Sequence, residues 1–497
     1  MRPLAGLAVA VAGDHPALWW ASTVLAWLGA DVGVNFGEAD LVLGCGAGPV
    51  GRVGRVGLLP ELPDGSGFTA APGGLSAAAA VTGLHVAAAA CLAVWARETG
   101  QADGVTVAVS AYRAALGLVQ PLLAGAPSRR SPWLAYYAGA DGIVGVFCPT
   151  PRDVADLVVM AELPAYPGGV GDDEPRRRAW EAALAAWVRR WPVERLAAEA
   201  QAWRLPWAPV RPPPARPAPP WTVVGVGPPG DAPGAGSRRT AWLDGLVVVD
   251  LTAVWAGPQV TRWLAMLGAR VVKVESPLRP DGYRAAGGRV FANLNAGKAV
   301  RRLHLGRPPD DVAFARLLAG AHLLVDNLSP RVLPNLGWDD ARLWQVRPGL
   351  VHVALPAFGG TGPERYWIGY GPTVEAAGGL AWAAGVRPGE RAGPTVADPL
   401  AAAWGLVGVL AACLEARRRG RGVAVEVRQV DGLGALVAAG LTAGGLAAPG
   451  WEDPAAMAQR RALAARCAAI DPATGAVRPP WGIHGGHRAA ARRLLPE

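Results

Sequence analysis

Two segments of the chain repeat one another in the same order and at the same spacing. The run LAGLAVAVAG at 4–13 matches LDGLVVVDLT at 243–252, and LAWLGADV at 25–32 matches LAMLGARV at 264–271. Each copy has an apolar strand, a loop, an apolar helix that ends at a glycine, and a second strand, as at the start of a βαβ unit. Such units build parallel sheets that are covered by helices. The repeat therefore predicts an α/β fold with two related, Rossmann-like halves.

The two copies differ in length. Two further matches, ADLVLGC at 39–45 with AHLLVDN at 321–327 and ARETG at 96–100 with ARRRG at 416–420, are spaced farther apart than the first pair. The first copy therefore lacks a segment that the second copy contains.

The segment between the copies resembles neither of them. WLAYYAGADGIVGVFC at 133–148 has the pattern of a β-hairpin that turns at Asp141-Gly142, and helices are predicted over 178–191 and 193–203. We expect five segments: a shortened half at 1–125, a small α+β domain at 126–210, a Pro/Gly-rich linker at 211–240, a full-length half at 241–450, and a C-terminal helix and tail at 451–497.

Charge and cysteine content favour a soluble cytoplasmic protein without a nucleic-acid partner. The formal charge is +9, but arginine clusters such as 176–178 and 417–419 fall at predicted helix ends, where cations complement the helix dipole. The five cysteines are widely spaced and include no CxxC pair, which fits a reducing compartment and argues against a thiolate zinc site. The apolar run at 75–96 is dominated by alanine and is interrupted by Thr82 and His85, so we expect a buried helix and no membrane association.

A GxGxxG pattern at 225–230 is not expected to bind phosphate. Pro228 and Pro229 occupy its interior and remove two backbone N–H donors that a phosphate cradle needs. The pattern is therefore assigned to the linker.

The second copy resembles the class III CoA-transferases, the CaiB/BaiF family. The resemblance is carried by LDGLVVVDLTAVWAGP, LGARVVKVESP, LNAGKAV, LLVDNLSPRVLPNLG, HVALPAFGGTGP, TVADPLAAAWGLVGVLAACLEARRRGRG and VEVRQVDGL, in consistent order over about 200 residues. The first copy and its hairpin unit look like a shortened form of the same family. Members of this family are interlaced homodimers, which implies that the tandem is a dimer written as one chain: a monomer that mimics a dimer, or a homodimer.

The resemblance implies a nucleophilic aspartate at Asp398, in the AD pair before a long apolar helix. A carboxylate attacks an acyl-CoA thioester to give a mixed anhydride and CoA thiolate, which returns to form an aspartyl-CoA thioester; the acceptor acid then enters through a second anhydride. CoA is substrate and product, and no permanently bound cofactor or metal is implied. Asp before Pro at a helix start is also a common N-cap, and the two roles are compatible. The register of the repeat places Ala78 opposite Asp398, so the first half lacks the nucleophile.

The resemblance also implies CoA contacts in the second half. The matching positions are Trp255, Ala256, Ser276, Lys298, Leu303, His304, Leu305, Asn327, Leu328 and Ser329. Lys298 and Lys273 are the only lysines of the chain, and each has the alternative of being an ordinary exposed charge. Loop backbone N–H groups can hold phosphate oxygens.

Several positions depart from the family pattern. Ala253 and Trp255 stand where the formyl-CoA branch has other side chains, and Gly371 stands where an acid is expected, with Glu375 as a possible substitute. The small domain lacks the glycine-rich loop of that branch. The acyl group and the acceptor acid are therefore not implied.

Two alternatives stay open at this point. One is a 2-methylacyl-CoA racemase, whose acid–base chemistry requires a histidine that is absent from Gly369-Tyr370-Gly371. The other is a non-catalytic CoA-binding or partner protein, motivated by the departures and by the degenerate first half.

Overall fold

The structure is a computed structural model, and it describes only part of the chain. The described residues are 1–12, 15–35, 39–45, 54–59, 76–101, 105–120, 134–166, 174–231, 233, 241–285, 288–392, 395–441 and 481–485.

Strands and helices alternate along most of the described chain. The strands are β1 (Ala8–Ala12), β2 (Asp31–Val32), β3 (Leu41–Cys45), β4 (Gly54–Leu59), β5 (Val105–Ser110), β6 (Leu134–Ala138), β7 (Ile143–Phe147), β8 (Ala208–Pro209), β9 (Trp221–Pro229), β10 (Val247–Asp250), β11 (Arg270–Glu275), β12 (Ala299–Arg302), β13 (Leu323–Asp326), β14 (Val351–Ala354), β15 (Arg421–Val427) and β16 (Trp481–Gly485). The helices are α1 (Pro16–Trp27), α2 (Ala77–Glu98), α3 (Ala111–Gly117), α4 (Pro151–Met160), α5 (Glu174–Val188), α6 (Val193–Ala202), α7 (Ala256–Met266), α8 (Gly282–Ala285), α9 (Arg289–Leu294), α10 (Pro308–Ala319), α11 (Val332–Asn335), α12 (Asp340–Val346), α13 (Gly371–Ala377), α14 (Leu380–Ala383), α15 (Ala397–Arg419) and α16 (Gln429–Ala438).

The second half contains a mostly parallel sheet in the order β12-β11-β10-β13-β14-β15-β9. Strands β10 to β15 pair in parallel, and only β9 runs antiparallel, at the edge. Central strands such as Leu323–Asp326 are buried along their whole length, as expected for strands covered by helices on both faces. The α/β fold class is confirmed.

The first half repeats this arrangement in shortened form, in the order β16-β5-β4-β3-β1-β2. Its parallel strands correspond to those of the second sheet, and β16 takes the place of β9 as the antiparallel edge. The strand β9 precedes the second half in the chain, whereas β16 follows it. Each sheet is therefore completed by a strand from the segment that follows the other half in the chain. This exchange of edge strands interlaces the two sheets.

The predicted linker contains this edge strand, which the sequence analysis missed. Its pattern is β-branched residues alternating with glycines, and a Cβ on Gly225 or Gly227 would lie 2.8 Å from the indole of Trp344. The two glycines thus allow Trp344 to cover the strand closely. The two prolines stand at its end, on a sheet edge where a missing donor is tolerated. The helix predicted within 451–497 lies outside the described residues.

The two halves share one helical layer. The helix α2 packs against α1 and α15, and α15 packs against α7. The indole of Trp404 stacks on Trp27 at 6.2 Å and meets Trp20 edge-on at 5.8 Å, so aromatic contacts join the halves. Among the described helices, α2 and α15 are long and apolar enough to span a membrane, but 94% of the apolar window of each is buried inside the protein. The prediction of a buried helix near 75–96 is confirmed.

The small domain is a three-stranded sheet, β6-β7-β8, flanked by α4 to α6. Its hairpin turns at Asp141-Gly142 as predicted, and Asp141 accepts the N–H of Val193 at 2.8 Å. The domain packs on the second half, where Gln201 bonds to Ile368 through both its amide oxygen and its amide nitrogen. The small domain, which follows the first half in the chain, is thus hydrogen-bonded to the second half at Ile368.

Candidate active site

Asp398 lies in the first turn of α15, and its carboxylate also faces the start of α7. The backbone N–H of Ala256, the first residue of α7, donates to this carboxylate, as does the N–H of Asp398 itself. Burial raises the pKa of Asp398 to about 6, against the lowering effect of these two bonds. Two helix N-termini therefore converge on one partly exposed carboxylate, and their positive ends favour its ionised form.

The N-cap alternative for Asp398 is wrong, because Glu375 caps this helix. The helix begins at Ala397, and Oε1 of Glu375 accepts bonds from the N–H groups of Val396 at 2.7 Å and Ala397 at 3.3 Å. The same oxygen accepts the hydroxyl of Thr395 at 2.8 Å. Burial raises the pKa of Glu375 to about 7, and the nearby Asp398 adds to this. Sequence reasoning noted Glu375 only as a substitute acid, since a cap from a distant helix leaves no local pattern.

Gly371 faces the carboxylate of Asp398. A Cβ at this position would lie 2.5 Å from Oδ2 of Asp398 and would collide with the hydroxyl of Thr395. The acid expected here from the family pattern has no room in this chain. Glu375, one turn along α13, supplies a carboxyl group close by.

The loop between β10 and α7 holds a strained residue beside the site. Val254 has a φ of 68°, a left-handed conformation that is costly for a β-branched side chain. Its N–H donates to Oδ2 of Asp281 at 2.9 Å, and the amide of Asn327 both accepts from the N–H of Ala253 and donates to its carbonyl, each at 2.8 Å. These bonds hold the loop that presents the N–H of Ala256 to Asp398.

Both lysines are buried, so the exposed-charge alternative is wrong for each. The ammonium of Lys298 contacts Oδ2 of Asp250 at 3.0 Å and the hydroxyl of Thr261 at 2.7 Å, with further acceptors at Pro258 and Asn295. Its side chain is 0% exposed.

Lys273 donates to the carbonyl of Thr252 at 2.5 Å. Burial alone would raise the pKa of Asp250, but the two ammonium groups hold it at about 2. Lys298 thus stabilises the β10–α7 loop through buried hydrogen bonds. Because its side chain is fully buried, its predicted contact with CoA would have to be made through this loop.

The other predicted CoA residues follow the carboxyl ends of four neighbouring strands. They are Trp255 and Ala256 after β10, Ser276 after β11, Leu303, His304 and Leu305 after β12, and Asn327, Leu328 and Ser329 after β13. The chain reverses its direction of sheet growth between β10 and β13, which is where ligands bind in open α/β sheets. The bonds between Asn327 and Ala253 span this switch point.

Three of these residues have buried polar atoms without a partner among the described residues. They are Nε1 of Trp255, Nδ1 of His304 and Oγ of Ser329. Buried donors and acceptors are usually satisfied, and unsatisfied ones cost free energy. Their positions at one sheet edge are consistent with a polar ligand there, and the individual CoA contacts stay predictions.

A largely buried histidine supports the loop after β13. His352 bonds through Nε2 to Asp326 at 2.7 Å and through Nδ1 to Asp340 at 2.6 Å, while the other oxygen of Asp326 accepts the N–H of Leu328 at 2.9 Å. Burial would lower the pKa of His352, but the two carboxylates raise it to about 10. The sequence offered no signal for this group, because its members lie on three separate elements.

In the first half, Ala78 stands at the position equivalent to Asp398. The helices α2 and α15 begin at Ala77 and Ala397, so the repeat register that pairs Ala78 with Asp398 holds in three dimensions. Ala78 is buried, and Ser76 caps the helix by accepting the N–H of Ala79 at 3.1 Å.

Comparison with known families identifies this arrangement. The family model for CoA-transferase family III matches residues 68–218 and 243–467, about three quarters of the chain. The chain belongs to CoA-transferase family III. The match covers part of the first half with the small domain, and then the second half.

Curated relatives in this family are CoA-transferases. The chain is 32% identical over 199 residues to the acetyl-CoA:oxalate CoA-transferase of Acetobacter aceti, covering 38% of this chain and 51% of the relative. It is 32% identical over 206 residues to the succinyl-CoA–D-citramalate CoA-transferase of Chloroflexus aurantiacus, covering 39% and 51%. The chain thus spans about half the length of these relatives. A solved CaiB/BaiF family protein from Brucella suis is 27% identical, with coverage of 40% and 56% and a TM-score of 0.37.

Proposed function

We propose that this protein transfers CoA from an acyl-CoA donor to a carboxylic acid acceptor, with Asp398 as the nucleophile. The observation that carries the proposal is the carboxylate of Asp398 at the meeting point of two helix N-termini, beside the switch point of the sheet. The curated names of the relatives support the same reaction class.

The chemistry uses the carboxylate in its ionised form. Asp398 attacks the thioester carbonyl, the C–S bond breaks, and a mixed anhydride and CoA thiolate form. The thiolate attacks the aspartyl carbonyl and releases the donor acid, which leaves an aspartyl-CoA thioester. The acceptor carboxylate attacks this thioester and expels the thiolate again. In the last step the thiolate attacks the acyl carbonyl, which forms the new acyl-CoA and restores Asp398.

The surrounding groups orient and tune this carboxylate. The N–H of Ala256 orients the carboxylate of Asp398, and Glu375 caps the helix that carries Asp398. With a pKa raised to about 6, Asp398 is ionised at neutral pH and is more basic than an ordinary aspartate, which strengthens it as a nucleophile. The loops after β10 to β13 hold CoA through backbone N–H groups and the unsatisfied atoms of Trp255, His304 and Ser329.

The two halves act as one unit in the cytoplasm. The first half and its small domain serve as scaffold, replacing the second subunit of a dimer, and the second half performs the reaction. The exchange of edge strands β9 and β16 between the halves supports this division.

The test is to trap the intermediate. Incubation with acetyl-CoA or succinyl-CoA, followed by hydroxylamine and peptide mass analysis, is expected to modify Asp398 and to leave the Asp398→Asn variant unmodified. Deuterium uptake at the α-carbon of a 2-methylacyl-CoA would instead indicate a racemase. CoA binding without modification or exchange would indicate a non-catalytic role.

A further inference from the structure

The first half reaches into the second half through a buried glutamine. Gln120, which follows α3, is 1% exposed, and its Nε2 donates to Oδ1 of Asn293 on α9 at 2.7 Å. The same oxygen accepts a bond from Nη1 of Arg262 on α7 at 2.8 Å. Asn293 thus joins a side chain of the first half to the helix whose first N–H group donates to Asp398.

A second contact from the first half falls on the neighbouring residue of α7. The imidazole of His85 on α2 meets the indole of Trp263 edge-on at 4.7 Å, and His85 is buried. Burial lowers the pKa of His85 to about 3, so the ring is neutral and packs as an aromatic group. The first half therefore contacts Trp263 directly and Arg262 through Asn293.

Gln120 is a costly residue for a boundary that is largely apolar. The helices α1, α2 and α15 meet there through side chains such as Trp20 and Trp404. Oε1 of Gln120 is buried and has no hydrogen-bond partner among the described residues, and such atoms cost free energy. An apolar side chain of the same volume would hold the halves together without this cost. The amide is thus better suited to fixing one arrangement of α9 and α7 than to adhesion.

The face of α7 that carries Arg262 leads to the proposed nucleophile. Trp255 at the start of the helix and Arg262 are seven residues apart, about two turns, so their side chains share this face. Trp255 packs with Leu294 of α9, the residue next to Asn293. The bonds at Asn293 therefore fix how α7 is seated on α9, and with it the N–H group that α7 donates to Asp398.

We propose that Gln120 is a positioning residue for acyl transfer: its bond to Asn293 seats α7 so that the N–H of Ala256 meets the carboxylate of Asp398. The first half then sets the geometry of the site, in addition to carrying the small domain. Reacting groups misplaced by about 1 Å can slow catalysis by about 10²-fold, so a bond remote from Asp398 can govern the rate. The inference rests on the proposed function, because its effect is measured as acylation of Asp398.

The experiment replaces Gln120 with methionine, which has a similar volume and no amide. The matched control is Gln101→Met, because Gln101 also belongs to the first half and donates Nε2 to the second half, at the carbonyl of Trp242, over 3.0 Å. That bond lies before β10 and outside α7 and α9. Acylation of Asp398 by saturating acetyl-CoA or succinyl-CoA is timed by hydroxylamine trapping from pH 5 to pH 8, and urea unfolding measures the stability of each chain.

We expect Gln120→Met to acylate Asp398 at least about tenfold more slowly than the parent chain, and Gln101→Met to keep the parental rate. The acid limb of the pH profile, set by Asp398 with its pKa of about 6, should move to higher pH in Gln120→Met alone, because the N–H of Ala256 lowers this pKa. The other titratable groups that act on Asp398 or feel its charge are the same in both variants: Glu375, Tyr283 and Tyr370.

A parental rate in Gln120→Met would overturn the inference. Equal losses of rate in the two variants would also overturn it, since they would show that any bond between the halves has this effect. A slower reaction with an unmoved acid limb would exclude the route through Ala256 and overturn it as well. Gln120→Asn, whose amide is one methylene shorter, replaces the methionine variant if that chain does not fold, with the same outcomes. Absence of acylation in the parent chain would contradict the proposed function itself.

Discussion

Replacing Asp398 with asparagine should make the protein more stable above neutral pH while removing the proposed nucleophile. The pKa of Asp398 is raised from 3.8 to about 6, mainly by burial, so the folded state disfavours the charge. This rise in the pKa of Asp398 corresponds to about 3 kcal/mol, and the residual exposure of the side chain reduces the figure to about 1–3 kcal/mol. Because the folded pKa is raised, the stability that the protonated acid confers is present below pH 3.8 and is lost as the pH rises through about 6.

Urea unfolding of both proteins from pH 4 to pH 8 measures this effect. The amide oxygen introduced by Asp398→Asn still accepts the N–H of Ala256, so packing is preserved and the two curves should meet near pH 4 and separate by pH 7. Asp339→Asn is the matched control, since Asp339 caps α12 by accepting the N–H of Arg342 at 2.8 Å and asparagine caps equally well. If Asp398→Asn were no more stable than the parent chain at pH 8, burial would not disfavour the ionised carboxylate of Asp398. The raised pKa of this residue would then be refuted.

Three further substitutions test the surroundings of this carboxylate. Glu375→Ala should cost about 1–3 kcal/mol in urea unfolding, because it leaves the buried N–H of Val396 unpaired, while the N–H of Ala397 keeps the hydroxyl of Thr395 as an acceptor at 3.2 Å. Glu375→Gln should cost much less, and equal losses would refute the capping role. Gly371→Ala should lower acylation of Asp398 at least about tenfold, measured by hydroxylamine trapping, while calorimetry shows an unchanged affinity for CoA. Unchanged acylation would show that the site tolerates a Cβ beside the carboxylate of Asp398. His352→Leu should lower the free energy of unfolding at pH 6.5. Since the pKa of His352 is raised to about 10, the difference in stability between the two proteins should shrink as the pH rises through about 10. A pH-independent difference would argue against a charged imidazole.

Much of the architecture followed from local pattern. Apolar runs next to helices that end in glycine predicted the parallel strands, and the repeat register correctly paired Ala78 with Asp398. The hairpin was predicted because an Asp-Gly turn between alternating apolar residues is a strong short-range signal. The edge strand β9 was missed because its glycines and prolines suggest a linker until Trp344 is seen to cover it.

The candidate site was predicted less completely, because its supports come from distant elements. Asp398 and the loops after β10 to β13 were predicted through resemblance, and the structure brings those loops to one sheet edge. The cap by Glu375 and the support from Lys298 depend on contacts across 22 and 48 residues of chain, for which the sequence has no local signal. The interpretation of Lys298 as a possible surface charge was wrong for the same reason.

The sequence by itself determined which segments become strands and helices, that they occur twice, and that only one copy carries an aspartate at the start of its long helix. Periodicity and composition are properties of short segments, so these features can be predicted from the local sequence. Only the tertiary structure decided that Glu375 takes the capping role from Asp398 and that Gly371 must lack a side chain. Burial, charge and steric contact between remote residues set these roles, and such interactions exist only once the chain has folded.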